Sequence, residues 1–263
     1  MNDDMTEPVL TSEDGPIATV TLNAPDKRNA LTRQAWIELA ATLTRLSDRD
    51  DLRCVILRGA GEQAFAAGAD ISEFPENRAN ARQARAYGDD IACALQALQA
   101  CRHPTIAMIY GACTGGGLEI ASCCDLRIAG QSARFGVPIN RIGHAFAVAE
   151  MTPVLQLAGP ALVLELLLEG RVLNADEAVS RGLVNRVVAD HQLQAHTWES
   201  ATRIAAGAPL AARMTKRLVR RVMSGQTALS SELDDCYALC DSADYAAGVR
   251  AFLNKQKPVF DGS

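Results

Sequence analysis

Two glycine-rich segments carry the residue types best suited to chemistry. The first, AAGAD, covers residues 66–70, and the second, GACTGGGLE, covers residues 111–119 and ends on a lone acid, Glu119. Glycine lets the backbone approach a ligand closely, and a helix start offers unpaired N–H groups with the positive end of the helix dipole. Two such turns brought together would direct a pair of amide donors at one oxygen, as an oxyanion hole does.

Each segment taken alone also fits a tight turn or a close contact between a helix and a strand. Phosphate binding fits less well. The chain has no Gly-x-x-x-x-Gly-Lys-Ser/Thr motif, and the first strand–helix turn lacks the Gly-x-Gly-x-x-Gly spacing.

The segments that would position these turns alternate between short apolar runs and helical patterns. Strands are predicted at residues 16–23, 54–59, 105–111, 125–130 and 183–188, and amphipathic helices at 32–48 and 82–100. This alternation indicates an α/β fold with a parallel sheet. After Gly143 the pattern is almost wholly helical, apart from 183–188. A helical tail must bury its apolar stripe, either on the core of its own chain or on another subunit. The second possibility would make the protein an oligomer, which we expect.

Composition excludes several classes of protein. The chain has 263 residues, 48% of them hydrophobic, which is enough for one substantial core, and its net charge of −5 argues against a nucleic-acid partner. We see no apolar run near the ~20 residues of a membrane span, and the N-terminal MNDDMTEPVL lacks the features of a signal peptide. The eight cysteines and four histidines form no metal-binding motif, so we expect reduced core cysteines, no metal and a cytoplasmic protein.

Four stretches together resemble the crotonase, or enoyl-CoA hydratase/isomerase, superfamily. They are AFAAGADISEF (64–74), GACTGGGLEIASCCDLRIAGQSARFGVPINRIG (111–143), NAPDKRNAL (23–31) and EGRVLNADEAVSRGLVNRVV (169–188). The resemblance runs from about Pro16 to Phe260. It implies a crotonase-like spiral of ββα units in residues 1–200 and a helical C-terminal region, 201–263, that supports oligomerisation and covers CoA. It also implies a homotrimer or dimer of trimers, an acyl-CoA thioester as substrate, and no other cofactor.

The resemblance also assigns roles to individual residues. The thioester carbonyl would lie between the N–H groups of Ala69 and Gly116, and Glu119 would act as acid and base. The remaining positions that match substrate and CoA contacts are Lys27, Arg28, Ala67, Asp70, Ile71, Gly115, Ile139, Lys255, Lys257 and Phe260. Without the resemblance, the basic residues among them would be interpreted as solvated.

One half of the expected site departs from the family. Hydratases of this family usually place a second glutamate after the proline of a segment that here reads RFGVPINRIG, and Ile139 occupies that position. The segment that follows, HAFAVAEM, replaces a glycine-rich turn, and Ala147 stands where a glycine often helps to hold the water. Glu150, His144 and Asn140 are the polar residues available as replacements.

Three functions therefore stay open. The first is an enoyl-CoA hydratase-like lyase that uses Glu119. The second is an isomerase, decarboxylase or hydrolase with the same oxyanion hole. The third is a non-catalytic protein that binds CoA esters, which Glu119 disfavours because its charge would oppose a developing oxyanion.

Overall fold

The computed structural model describes residues 7–227 and 229–263. Its strands are β1 (Val9–Asp14), β2 (Ile17–Leu22), β3 (Cys54–Gly59), β4 (Ala64–Ala66), β5 (Thr105–Ile109), β6 (Ala112–Thr114), β7 (Leu126–Gly130), β8 (Arg134–Gly136), β9 (Val172–Asn174) and β10 (Arg186–Val188). Its helices are α1 (Arg33–Ser47), α2 (Phe74–Asn77), α3 (Ala81–Ala100), α4 (Gly116–Cys123), α5 (Val148–Leu168), α6 (Ala175–Ser180), α7 (Asp190–Ala205), α8 (Pro209–Met223), α9 (Ser230–Ala238) and α10 (Ala243–Leu253).

A six-stranded sheet forms the centre, in the order β1-β2-β3-β5-β7-β10. The first two strands form an antiparallel hairpin, and the pairings from β2 to β10 are parallel. The inner strands β3 and β5 are almost entirely buried, as expected for a parallel sheet covered on both faces. This architecture confirms the predicted α/β class.

A second sheet of four short strands, in the order β4-β6-β8-β9, stands beside the first. In three successive units the chain passes from the large sheet to the small sheet and then into a helix: β3–β4–α3, β5–β6–α4 and β7–β8–α5. This repeated path is the predicted spiral of ββα units. It brings the residues that follow β4 and β6 side by side, because β4 and β6 pair in parallel.

Helices α1 and α3 pack against each other and cover the core. Thr32 caps α1 by accepting a hydrogen bond from Ala35 N–H at 3.1 Å, and Asn80 caps α3 through Gln83 N–H at 3.1 Å. Trp36 and Leu39 on α1 are fully buried, as is Leu98 on α3. The amphipathic helices predicted at 32–48 and 82–100 are therefore confirmed to within a residue at each end.

Helix α8 contacts the large sheet through ion pairs and hydrogen bonds around Asp125, which directly precedes β7. Lys216 lies 2.7 Å and Arg220 2.9 Å from its carboxylate, and Thr105 N–H donates to it at 2.8 Å. Burial alone would raise the pKa of Asp125, but the two cations and the hydrogen bonds outweigh it and lower the pKa. The helical C-terminal region is thus joined to the core through an ionised aspartate.

Several predicted elements need correction. Strands β1, β4, β6, β8 and β9 were not predicted, so the small sheet was missed entirely. The strand expected at 183–188 is limited to Arg186–Val188, and the one expected at 105–111 ends at Ile109. The domain boundary expected at residue 200 falls inside α7, and the nearest break between elements follows Ala205. The division of the chain into two regions stays a prediction. Residues 1–6 and 228 lie outside the described residues, so most of the N-terminal MNDDMTEPVL segment does too.

Helix α5 also corrects the expectation that no apolar run approaches a membrane span. By length and composition it could cross a membrane. Its path is interrupted at Gly159, whose φ of 72° and ψ of 167° are not helical, and Pro160 follows directly. Val154, Leu162 and Leu166 are buried against the core, whereas Val148, Leu164 and Leu168 of the same helix are exposed.

The cysteines differ in part from the expectation. All eight are free thiols, but Cys93 and Cys240 are exposed and Cys236 is half-buried, so only five belong to the core. The adjacent Cys123 and Cys124 are among the buried five. Burial raises the pKa of the Cys123 thiol to about 12, which leaves it protonated and unreactive at neutral pH.

Candidate active site

The two glycine-rich turns meet at the ends of β4 and β6. A methyl group placed on Gly68 would lie 3.4 Å from the Gly116 amide nitrogen, and one placed on Gly115 would lie 3.6 Å from the Gly68 Cα. Gly115 has a φ of 50° and a ψ of −122°, a conformation that a residue with a side chain rarely adopts. The bare backbone of both turns therefore allows their close approach.

The geometry leaves the N–H groups of Ala69 and Gly116 without partners in the adjoining elements. Leu31 N–H donates to Gly68 O at 2.8 Å, and Asp70 N–H donates to Leu31 O at 2.8 Å. In such a parallel pairing Leu31 bonds to the two neighbours of Ala69, so the Ala69 N–H is directed to the opposite side. Gly116 is the first residue of α4, where N–H groups have no acceptor within the helix.

Glu119 lies one turn into α4, a helix whose eight residues are all buried. Its side chain lines a cavity of about 140 Å³ together with Ala69 and Gly116, and its Oε2 has no hydrogen-bond partner in the protein. Burial and the nearby charge of Glu150 raise the pKa of Glu119 well above its usual range, while Arg78 acts in the opposite direction. A buried carboxyl without a partner needs a water or a ligand atom to bind.

Glu150 reaches the same cavity from the first turn of α5. Only 4% of its surface is exposed, the same fraction as for Glu119. Its Oε2 accepts a hydrogen bond from Ala147 N–H at 3.2 Å. Burial raises the pKa of Glu150, against the lowering effects of the Ala147 N–H and of Arg78.

Arg78 and His144 form the polar rim of this cavity. Arg78 donates a hydrogen bond to His144 Nε2, and its guanidinium lies 4.6 Å above the ring of Phe74 and 5.1 Å from the ring of Tyr87. Because arginine can only donate, the single proton of a neutral His144 resides on Nδ1. Burial and the positive charge of Arg78 lower the pKa of His144, so the ring is neutral at pH 7.

The rest of the cavity wall is apolar apart from Thr114, whose hydroxyl donates to Ala67 O at 3.1 Å. Ile139 lies on this wall, so the position that matches the family's second glutamate faces the predicted cavity but offers only a hydrocarbon side chain. The other apolar side chains of the lining are Trp36, Ile71, Phe74, Ile91, Val137, Pro138, Ile142 and Phe146. The small volume and apolar walls suit a short acyl group.

The predicted residues around the first turn form the approach to the cavity. Lys27 Nζ lies 2.7 Å from Asp70 Oδ2, and Asp70 Oδ1 accepts hydrogen bonds from the Ser72 N–H at 3.1 Å and from its hydroxyl at 2.6 Å. Arg28 adopts a left-handed conformation, with a φ of 54°, and its carbonyl accepts from Ala67 N–H at 3.0 Å. Ala67 and Gly115 line the cavity, and Ile71, which also lines it, is 56% exposed.

Four predicted residues lie away from the cavity. The Asn140 side-chain amide donates to Leu168 O at 3.0 Å, so Asn140 supports the end of α5 rather than the cavity wall. Phe260 packs against Gly248, and its carbonyl accepts from Arg53, just before β3 begins. Lys255 and Lys257 are exposed in the same C-terminal segment. In a single subunit this segment lies at the opposite end of β3 from the glycine turns.

Sequence reasoning missed Arg78 and Trp36, and it included Phe74 only as the last residue of the motif at 64–74. Trp36 is read from sequence as an ordinary core residue of α1, and Arg78 is one of several arginines beside a helix start. Neither carries a local signal, since only the fold brings them to the glycine turns. In residues 7–227 and 229–263 no three His, Cys, Asp or Glu side chains form a group that could hold a metal ion.

Comparison with known proteins places the chain in a family. The model of the family described as enoyl-CoA hydratase/isomerase matches residues 12–263. A short-chain-enoyl-CoA hydratase of Clostridium acetobutylicum is 34% identical over 255 residues, which cover 95% of each chain. A crotonyl-CoA hydratase of Syntrophomonas wolfei is 32% identical over 256 residues, covering 97% of this chain and 98% of the relative.

A solved structure agrees with these relatives. The enoyl-CoA hydratase/carnithine racemase of Magnetospirillum magneticum superposes with a TM-score of 0.95 at 48% identity, covering 98% of this chain and 97% of that one. The match extends over the sheets, the glycine turns and the C-terminal helices alike. The chain is a member of the enoyl-CoA hydratase/isomerase family, of the crotonase fold.

Proposed function

We propose that this enzyme is an enoyl-CoA hydratase that adds water across the double bond conjugated to a CoA thioester. The observation that carries the proposal is the position of Glu119. It is a buried carboxyl with an unpartnered oxygen, in one cavity with the backbone of Ala69 and Gly116. Acid–base chemistry and carbonyl polarisation can therefore act on the same small acyl group.

The thioester oxygen is bound by the N–H groups of Ala69 and Gly116. Water attack at C3 moves electrons towards that oxygen, and two fixed amide donors stabilise the resulting enolate more strongly than they stabilise the substrate. One such donor contributes about 3–4 kcal/mol to lowering a barrier. At the Gly116 amide, the positive end of the α4 dipole adds to the stabilisation of the negative charge on the oxygen.

Glu119 moves the proton. Because burial and the nearby Glu150 raise its pKa, it holds a proton near neutral pH, and it can deliver that proton to C2 as the enolate collapses. In the reverse direction the carboxylate removes the C2 proton. Such a group accelerates a reaction by about 10²–10⁴-fold.

The CoA moiety leaves the cavity past the first glycine turn. Lys27 and Arg28 supply positive charge there, with Asp70 fixing the Lys27 ammonium group and with Ala67, Ile71 and Gly115 beside the pantetheine. The C-terminal residues Lys255, Lys257 and Phe260 act on the CoA of a neighbouring subunit, since they lie far from the cavity of their own. This division of the site is consistent with the proposed homotrimer or dimer of trimers. We further propose a cytoplasmic location and no cofactor besides the CoA of the substrate.

The acyl group is short. The cavity of about 140 Å³ is smaller than the roughly 300–1,000 Å³ that larger ligands occupy. Two relatives of this chain are named as short-chain-enoyl-CoA and crotonyl-CoA hydratases, which supports the same size class.

Crotonyl-CoA in D₂O tests the proposed reaction. We expect 3-hydroxybutyryl-CoA carrying one deuterium at C2, detected by mass spectrometry. Exchange of acyl protons without addition of water would instead indicate an isomerase. Binding of crotonyl-CoA without any reaction would indicate a protein that only binds CoA esters.

A further inference from the structure

We propose, on the basis of the hydration proposed above, that Glu150 supplies the second carboxyl of the reaction from the start of α5, in place of the acid missing at Ile139. Glu119 and Glu150 share one proton at neutral pH. Glu119 holds it and gives it to C2, and the Glu150 carboxylate takes a proton from the attacking water.

The first support is the place of the two side chains. Glu119 stands in the first turns of α4 and Glu150 in the first turn of α5, and both line the cavity that contains the two amide donors. Ile139 also lines it, so the acid at position 150 and the position of the missing acid, eleven residues earlier in the chain, face the same cavity. An acid that only stabilised the start of α5 would have no need to lie inside an apolar pocket.

The second support is burial. Glu150 is the buried member of an otherwise open segment, because its neighbours Val148 and Ala149 are exposed. Carboxylates are almost never fully buried unless they are paired or serve a site. The one hydrogen bond given to Glu150, from Ala147 N–H, occupies Oε2. Its other oxygen is available to a water in the cavity.

The third support is the charge balance of the cavity. The groups facing the pair are Arg78 and His144, with His144 neutral. Two ionised carboxyls in one apolar cavity repel each other, and one proton between them removes the repulsion. The remaining negative charge then matches the single positive charge of Arg78. Glu150 is the member that stays ionised, since it accepts the Ala147 N–H while Glu119 Oε2 has no donor.

The step balances without any further reactant. A water O–H bond breaks as its proton passes to Glu150, and the hydroxyl oxygen bonds to C3. The π electrons of the double bond pass to the thioester as an enolate, which then takes the Glu119 proton at C2. The enzyme is left with Glu150 protonated and Glu119 ionised, and a proton transfer between the two restores the resting state.

Single substitutions with an isosteric amide test the pair. Glu150→Gln keeps an oxygen that accepts the Ala147 N–H, so the helix start is preserved. We expect its kcat for crotonyl-CoA to fall about 10²–10⁴-fold with little change in KM. The exposed Glu169→Gln, at the other end of α5, is the matched control and should keep wild-type kinetics. The kcat of the double variant Glu119→Gln/Glu150→Gln should be only slightly lower than that of the less active single variant, because the two carboxyls act as a unit.

The pH profiles separate a catalytic from a structural role. Wild-type kcat should follow a bell, falling at low pH when Glu150 is protonated and at high pH when Glu119 is ionised. Glu150→Gln should keep only the fall at high pH, and Glu119→Gln only the fall at low pH. A Glu150→Gln enzyme with kcat within threefold of the wild type and an unchanged bell would overturn the proposal.

Infrared spectroscopy tests the shared proton without substrate. We expect the C=O band of a protonated carboxyl in the wild type at pH 7, shifted in D₂O and missing from Glu119→Gln. Absence of that band from the wild type would overturn the proposal that Glu119 and Glu150 share one proton. If the wild type hydrates no enoyl-CoA, the proposed function fails, and this spectrum still decides whether the two carboxyls hold one proton.

Discussion

Glu119 at the start of α4 and Glu150 at the start of α5 face one cavity, and the charge of Glu150 raises the pKa of Glu119. The two helices begin after β6 and β8, neighbouring strands of the small sheet. The ββα repeat therefore also determines where the two acids lie. It presents two helix starts, each with an acid, to one pocket beside the glycine turns.

Removal of the Arg78 charge should shift the pH dependence in a defined direction. Arg78 lowers the pKa of both Glu119 and Glu150, so Arg78→Met should raise both and move both limbs of the kcat profile to higher pH. Arg78→Lys keeps the charge and should shift the profile less. Profiles of crotonyl-CoA hydration between pH 5 and 10 measure this. A shift to lower pH would contradict the proposed influence of Arg78.

A methyl group on Gly116 should damage the site. Its Cβ would lie 2.6 Å from Cζ2 of the fully buried Trp36, so the Trp36 ring or the start of α4 with its amide must shift. We expect Gly116→Ala to lower kcat about 10²–10³-fold because the amide donor is displaced, and to destabilise the fold by about 1–3 kcal/mol.

Gly88→Ala is the control for that substitution. Gly88 lies within α3 with open space around its Cα, so the methyl should be tolerated and stabilise the helix by about 0.5–1 kcal/mol. Urea unfolding and crotonyl-CoA kinetics on both variants give the comparison. Wild-type kcat in Gly116→Ala would contradict the expected displacement of the Gly116 amide.

The Asp125 network should make stability depend on pH. The folded pKa of Asp125 is lowered, so its contribution is fully present above the unfolded value of about 4 and is lost as pH falls through the folded value. Asp125→Asn leaves Lys216 buried beside a neutral amide and should cost about 3 kcal/mol at pH 7. The difference in unfolding free energy between the two proteins should shrink below pH 4. A difference independent of pH would contradict the ionised state of Asp125.

Lys27 should contribute to CoA binding rather than to chemistry. Its ammonium group is mostly exposed and held by Asp70, beside the proposed path of CoA. Lys27→Met should raise KM for crotonyl-CoA a few-fold at low ionic strength and leave kcat unchanged, as expected for one exposed charge contact. Crotonyl-pantetheine lacks the nucleotide phosphates and should show no difference. An equal effect on both substrates would place Lys27 elsewhere than at the phosphates.

The inner strands of the large sheet, β2, β3, β5 and β7, could be predicted from sequence because they are mainly apolar runs, whereas the edge strand β1 is exposed beyond Val9 and was missed. Residues 54–59 were predicted with the observed bounds, since CVILRG is buried on both faces and ends at a glycine. The strands of the small sheet β4, β6 and β8 have three residues each, too few for a period of two to be visible.

The candidate site was predictable where its residues belong to the glycine-rich motifs, as Ala69 does in the first segment. Glu119 and Gly116 belong to one glycine-rich segment, so a single motif identifies both. Glu150 was one of three possible replacements for the second acid. The sequence pattern does not predict that Glu150 is buried while Val148, two positions earlier, is exposed. Asn140 was expected to compete with it and instead supports the end of α5. Arg78 was missed, because only tertiary structure directs it into the cavity.

The most direct test of the account is the steady-state hydration of crotonyl-CoA by the wild type, Glu119→Gln and the exposed control Glu169→Gln. We predict rapid hydration by the wild type and the control, and a kcat at least about 100-fold lower in Glu119→Gln with KM nearly unchanged. Full turnover by Glu119→Gln would contradict the account, because the proton for C2 would then have to come from another group.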